Sequence, residues 1–445
     1  MEAILSRVER VARGPMNVWA AGRHEYEVAR KKLEIVYHWP ISVRSLVENY
    51  LLYSTIASLF MGEHWFHKGV DVYYGYPIVL FNTLVLFALN RLLIHRNHAI
   101  LIAAVTLISV FAARFSGTPM SAIVAQIMGI MMFSICYISM LTTSGLSLPR
   151  WLKIYSQAAL LIAIWGVIDF VARKTNVFPE TVQTRLHSVF DEPSFYVYLT
   201  LPAIGIYLNE HLRKGGYRWE LGIFLLTYVL ADSSLGFLGL LLVFFFAFLP
   251  RLNIRRMIAF ATIATGAVVA LFVLSANFRL RVIDTAVGIA VFDLQHVNAS
   301  TFAVLANGYV AIKTFIHHPF IGVGIGGYLN QYQQYLPNFS NDDPDVVTLN
   351  MYDAASLFFR TAAELGLFGL FFLFGFLIIC SRVKGDVHVH IRNALLPFFL
   401  MRMGRYGAYF SLDLYFFVGL YFLNYMHYRA HVEAPLAHHK PAHAI

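Results

Sequence analysis

The stretch RLHSVFDEPSFYVYL, Arg185 to Leu199, sets an arginine, two adjacent carboxylates and a proline ahead of an apolar run. A guanidinium stays charged at every physiological pH and grips phosphate through a planar fork of donors. A carboxylate nearby can take a proton from a hydroxyl or hold the guanidinium in place. Arg185, Asp191 and Glu192 therefore suit proton removal beside a bound phosphate. A plainer reading stands next to it, because Pro193 fits the first turn of a helix and the helix dipole favours a carboxylate just before that turn.

Four further places carry chemistry-bearing residues. Arg279, Arg281 and Lys313 lie in the long segment 276–352. With Arg185, the two arginines could clamp a diphosphate from separate loops, or simply snorkel to lipid headgroups. ADSSLGFLGLL supplies Ser233 and Ser234, as a turn or as hydroxyls lining the same cavity. HHPFIGVGIGGY contains Gly322 and Gly324 behind His317 and His318. It lacks the strand, helix and downstream acid of a dinucleotide fingerprint, so the glycines read as a tight turn approaching the bundle or a ligand. The adjacent histidines cannot readily face one metal, and no metal site is expected. In DAASLFFRTAAELGLFGLF, Asp353 opens a helix, and Arg360 and Glu364 sit four apart on it, the spacing of an ion pair. A charge at mid-bilayer costs roughly 2.5–3.5 kcal/mol, so this pair either locks the bundle or serves the site.

The elements that must position these residues are membrane helices. The chain has 445 residues, 58% hydrophobic and only 13% charged, far from an ordinary soluble composition. Apolar runs near 46–62, 77–94, 99–113, 120–141, 154–172, 194–209, 218–232, 234–249, 257–275, 353–379, 393–411 and 413–429 give about twelve candidate spans. Alternate connections are rich in Lys and Arg, from Arg7 to Arg44 and later at Arg91, Arg150, Arg213, Arg255 and Arg382. The positive-inside rule puts these connections and both termini in the cytoplasm. It puts the opening stretch and segment 276–352 on the far side.

The expected class is all-α: a polytopic transmembrane helix bundle with one large periplasmic loop carrying one or two short helices. Its divisions are a basic cytoplasmic segment 1–45, transmembrane helices over 46–275, the loop 276–352, transmembrane helices over 353–429 and a cytoplasmic tail 430–445. The stretch 20–38 reads either as a helix lying on the inner membrane surface or as a solvated one. Cys136 and Cys380 lie in apolar runs, as small core or lipid-facing residues rather than a disulfide. The net charge of +9 reports topology and attraction to anionic lipid, and a nucleic-acid partner is not expected.

RLHSVFDEPSFYVYL, ADSSLGFLGLLLVFFFAFL, HHPFIGVGIGGYLNQY and DAASLFFRTAAELGLFGLF occur in the order seen in the bacterial O-antigen polymerase (Wzy) and O-antigen ligase family, which residues 150–380 resemble. The resemblance implies a GT-C-like, metal-independent membrane glycosyltransferase without a cofactor. It would work at the periplasmic face of the inner membrane on glycans carried by undecaprenyl diphosphate, with membrane lipids and a chain-length regulator protein as partners. Arg185 and Glu192 match the Arg and Glu of the family's first element. Arg279 or Arg281 matches the basic residue early in the long loop, and Gly322 and Gly324 match its glycines. Ligases usually carry a His-Asn pair where this chain reads MYDAASLFF, with Asp353 or Ser356 in that neighbourhood. That difference favours a polymerase of repeat units for O-antigen or exopolysaccharide over a ligase-type transferase. In the polymerase reading Glu192, Arg185, Arg279, Arg281 and Asp353 act on the reacting groups. Asp191, Ser233, Ser234, Lys313, His318, Gly322, Gly324, Arg360 and Glu364 bind substrate. A transporter or flippase of lipid-linked sugars is the alternative of a different class; it would carry inverted repeats and mid-bilayer charges on several helices.

Overall fold

The computed structural model describes residues 41–61, 64–67, 71–144, 146–175, 185–251, 253–291 and 294–430. The surface-helix candidate at 20–38 and the tail from His431 onward lie outside the described residues.

Every apolar run singled out above falls on a helix. These are α1 (Ile41–Leu59), α2 (Gly75–Ala88), α3 (Arg96–Ser116), α4 (Met120–Thr143), α5 (Leu148–Lys174), α6 (Pro193–Lys214), α7 (Arg218–Ala231), α8 (Ser234–Phe248), α9 (Ile254–Leu274), α13 (Leu357–Ser381), α14 (Asp386–Gly404) and α15 (Leu412–Tyr428). Among the described residues, six helices are long and apolar enough to cross a membrane: α3, α4, α5, α9, α13 and a helix at Ala299–His317. The last lies in the segment expected to be a loop. A short antiparallel hairpin, His64–His67 with Asp71–Tyr73, links α1 to α2.

The centre of the bundle is α6, packed against α5, α7, α8 and α14. Small residues let these helices approach closely, as membrane helices without a hydrophobic drive between them require. A Cβ on Gly205 of α6 would lie 2.7 Å from Ala394 Cα of α14, and one on Gly236 of α8 would lie 3.0 Å from Val197 of α6. Buried aromatic side chains fill the remaining space, among them Trp151, Tyr155, Phe416 and Phe417. Several of the tyrosine hydroxyls find partners inside, because lipid offers none. Tyr155 donates to Leu199 O at 2.6 Å and Tyr196 to Thr227 Oγ1 at 2.6 Å.

Segment 276–352 is more ordered than one or two short helices. It forms α10 (Ala276–Val291), α11 (Ala299–His317) and α12 (Tyr328–Tyr335), then two short 3-10 turns. Asn298 starts α11 by accepting the Thr301 amide at 3.1 Å, and Asp284 of α10 holds the Asn298 side chain at 2.8 Å. These pieces share their own core around Phe302, Val310, Tyr328, Tyr332 and Phe339, and α11 packs along α13. Arg279 and Arg281 thus stand on a helix rather than a loop. Asp353 does not open α13. Ser356 caps that helix by accepting the Phe359 amide at 3.1 Å, which leaves Asp353 in the turn before it.

Candidate functional site

Helix α13 is broken inside its apolar run. Gly366 has φ 61° and ψ −149°, and the ladder is interrupted there. The strap 318–327 repairs it: the amides of Leu367 and Phe368 donate to Pro319 O and Phe320 O at 2.7 and 3.0 Å. In return, Val323 N and Gly324 N donate to the carbonyls of Ala363 and Glu364 at 3.0 and 2.8 Å. Non-helical backbone in an apolar bundle survives only with such partners. Positive φ and close backbone make glycine necessary in the strap, most plainly at Gly322 and Gly324. At Gly322, with φ 63°, a Cβ would sit 2.3 Å from the Glu364 backbone, and at Gly324, with φ 86°, 2.7 Å from Ser109 O.

The Arg360 and Glu364 side chains are committed to this joint. Glu364 Oε1 accepts the Gly326 and Tyr328 amides at 3.0 and 3.2 Å, while Oε2 pairs with Arg360 Nε at 3.3 Å. Arg360 also donates to Gly407 O at 3.2 Å and Gln126 Oε1 at 3.1 Å, and its guanidinium lies 4.4 Å from the centre of the Tyr409 ring. Of the two readings the sequence left open, the contacts are those of the bundle-locking pair.

A second buried pair escaped the sequence reading. Arg402 at the end of α14 pairs with Asp413 of α15 and donates to Tyr198 OH at 2.9 Å, Ala408 O at 2.6 Å and Ser411 Oγ at 2.6 Å. Charges this deep in FFLMRMGRYGAYFSLDLYFF are costly unless paired, and that cost was the available signal. Together Arg360 and Arg402 pin the 405–411 connection from two sides.

The third cluster collects residues from three connections. Arg185 donates from Nε to Ala231 O at 3.1 Å and from Nη2 to Asp232 O at 3.0 Å, closing the end of α7. Leu186 N donates to Leu230 O at 3.0 Å beside it. Burial and the neighbouring Arg281 cation push the Arg185 pKa down, and Asp232 and Glu192 oppose them. Arg281, Asp232 and Glu192 therefore all lie within the field of Arg185. Asp232 adopts φ 42° and accepts Ser275 Oγ at 3.1 Å, which ties the junction of α7 and α8 to the start of α10. Arg281 makes no hydrogen bond or ion pair among the described residues. Arg279 turns instead to the end of α9, donating to Val273 O at 3.2 Å.

Glu192 occupies the cap position of α6, yet its side chain caps no amide. It is exposed and accepts Ser194 Oγ at 2.7 Å. Asp191 beside it is also exposed. The Tyr406 ring packs between Phe195 and Tyr198, with centroids 4.8 Å from each. Burial raises the Tyr406 phenol above its ordinary pKa, with the nearby Glu192 carboxylate adding to it. Tyr406 also bridges to Ser356, and a Cβ on Gly407 would lie 1.6 Å from Asp353 O. Asp353 accepts the Ala355 amide at 3.0 Å in a turn where Ala354 and Ala355 have φ 60° and 56°.

The structure thus gathers Arg185, Arg281, Glu192 and Asp232, and places Asp353 across the 405–411 connection from them. Gly322, Gly324, Arg360 and Glu364 form the strap joint instead. Ser233 is buried and caps α8 through the Gly236 amide, while Ser234 begins that helix. Lys313 is exposed over the Tyr309 ring at 5.6 Å, and His318 ends α11; no hydrogen bond or ion pair links either to the Arg185 cluster among the described residues. A cavity of about 670 Å³ opens beside Ser188 and Val189, walled by Phe60, Pro77, Ile78 and Trp165. Asp169 and Arg173, paired at 2.9 Å, also line it. Among the described residues, no group of three or more His, Cys, Asp or Glu side chains could hold a metal ion.

Residues 219–374, from α7 to the middle of α13, match the family model described as O-antigen ligase. The match spans the Ser233 junction, Arg281, the glycine strap and the break at Gly366. No curated protein matches the chain.

Proposed function

Taking residues 219–374 as a domain of the O-antigen ligase family, we propose that this chain is a membrane glycosyltransferase that polymerises repeat units carried on undecaprenyl diphosphate. The observation that carries the reading is that Arg185 lies near both Arg281 and Glu192, with Arg281 making no hydrogen bond or ion pair among the described residues. In this reading the cluster faces the periplasm, as the basic connections at the other helix ends require.

The reaction joins a hydroxyl of one lipid-linked glycan to the anomeric carbon of another. As the new carbon–oxygen bond forms, the bond to the phosphate oxygen breaks and the diphosphate leaves with the electron pair. Arg281 and the uncommitted donor of Arg185 meet the charge developing on that diphosphate, where preorganised donors contribute most. Glu192 takes the acceptor hydroxyl's proton, and its bond from Ser194 holds it in position. The apolar cavity beside Ser188 suits a lipid tail, and α10 to α12 fold over the site so that transfer outruns hydrolysis.

The family description favours a second reading, in which the finished glycan is handed to a different acceptor. Against it stands MYDAASLFF, which lacks the histidine such ligases usually carry. The glycan of a deletion strain separates the two. A single capped repeat unit marks lost polymerisation, whereas accumulated lipid-linked polymer marks lost transfer. The site itself is tested with Arg281→Ala and Glu192→Gln in well-folded protein. Chain length and yield equal to the native protein's in both would sink the assignment.

A further inference from the structure

The 405–411 connection is held harder than a surface turn requires. Arg360 reaches it from α13 at Gly407 O, Arg402 reaches it from α14 at Ala408 O and Ser411, and Ser356 donates to Met403 O just before it. Tyr406 is kept at φ 67°, a region that residues with a side chain seldom adopt and that persists only where the surroundings over-determine it. Its ring is wedged against Phe195, one residue from the Ser194 hydroxyl that bonds Glu192.

Inside this rigid connection, three buried polar atoms have no hydrogen-bond partner among the described residues: Arg405 Nη1, Tyr406 OH and Tyr409 OH. Tyr409 stacks under the Arg360 guanidinium at 4.4 Å and the Ser194 hydroxyl lies near Tyr406 OH, so the charged Arg405 Nη1 is the atom left most plainly without an answer. An unpaired buried donor is costly, more so when charged, and folds keep few of them without a reason. Arg405 differs here from Arg402, three residues earlier, whose Nη1 and Nη2 make four bonds. The position also lies beyond the matched segment 219–374.

We propose that Arg405 is a substrate-contacting residue of the transfer site, its guanidinium binding a phosphoryl oxygen of the lipid-borne diphosphate with the Tyr406 hydroxyl beside it as a second donor. Arg360 and Arg402 are then positioning residues, which hold the connection that presents these donors. The assignment rests on the transferase reading above. It adds a third arginine, from the α14 to α15 connection, to Arg185 and its neighbour Arg281 on α10.

The test uses the full chain in phosphatidylcholine nanodiscs, with undecaprenyl diphosphate, undecaprenol and phosphatidylglycerol as probes and inorganic pyrophosphate as competitor. Arg405→Ala should weaken undecaprenyl diphosphate binding about 10- to 100-fold, the range of a charge-assisted hydrogen bond. Undecaprenol binding and the unfolding midpoint should stay unchanged, and Arg405→Lys should recover part of the loss. Should Arg405→Ala fail to fold, Arg405→Gln keeps the stem and polar end and should show the same loss. Pyrophosphate should displace the lipid from the native protein; failure to compete overturns the phosphate contact. An equal loss for phosphatidylglycerol would mark an ordinary headgroup contact and overturn it as well. If Arg405→Ala binds like the native protein while Arg185→Ala does not, the inference fails and the transferase reading stands. If the native protein prefers undecaprenyl diphosphate no more than undecaprenol, both fail.

Discussion

Two regions of this bundle hold arginines, and they treat them in opposite ways. Arg360 and Arg402 are 3% and 2% exposed, and each is answered by a carboxylate, by backbone carbonyls and by an aromatic ring. Arg185 spends two donors on carbonyls of α7's end, and Arg281 spends none on the described residues. The first pair is built into the fold, because a buried charge needs its compensation within the protein. In the second pair, Arg185 lies near Asp232 and Glu192 without pairing with either among the described residues, and both arginines keep donors that the described residues do not use. Burial alone does not mark a ligand site, and the proposed site rests instead on hydrogen-bonding capacity left unspent next to a carboxylate.

The contrast can be broken most directly at Arg402. Replacing it with alanine strands Asp413 in the bundle and should cost about 3–5 kcal/mol, seen as lost yield and a lower unfolding midpoint in detergent. The pair replacement Arg402→Leu with Asp413→Leu should recover most of that loss, since no lone charge remains. Arg281→Ala should behave in the reverse manner, with a normal midpoint and transfer reduced about 100- to 1000-fold. A midpoint as low as that of Arg402→Ala would erase the distinction.

A third variant sharpens the role of the strap. Gly322→Ala forces a Cβ against the Glu364 backbone at positive φ, and should destabilise the joint by roughly 1–3 kcal/mol. Faster amide exchange at Leu367 and Phe368 than elsewhere in α13 would report it.

The smallest effect concerns His318. Burial and the adjacent His317 lower its pKa, so the folded strap prefers the neutral ring. The unfolded form binds the proton first, so this contribution is complete above the unfolded pKa near ~6.5 and is lost as pH falls through the lower folded value. Amide exchange over 319–327 should therefore quicken slightly on acidification from neutral pH, and His318→Gln should remove that dependence.

Helices were legible because a long apolar run registers in composition whatever it packs against. The pairing of Arg360 with Glu364 was legible because it is local, four residues along one helix. Nothing local announces the break at Gly366, since ELGLFG reads as an uninterrupted apolar helix until the strap supplies carbonyls from 40-odd residues earlier (roughly one loop closure away). Asp353 was placed on α13 because the apolar run begins nearby, and the cap at Ser356 overrode that impression. Arg185 and Glu192 are neighbours in sequence, so their association was readable. The arrival of Arg281 beside them depends on how α10 follows α9, which no short motif encodes. Arg402 and Asp413 were hidden for a different reason: each lies in a stretch so apolar that one charge hardly changes its average.

The interruption at Gly366 bears on how this molecule can be rebuilt. Because α13 completes its own ladder only with carbonyls from Pro319 and Phe320, the two stretches are halves of a single joint. Chimaeras that exchange 299–352 between related chains should insert well only when 317–327 and 357–368 come from the same parent. A graft that divides them would leave unmatched amides in hydrocarbon, and the host would discard it before any glycan could be assayed.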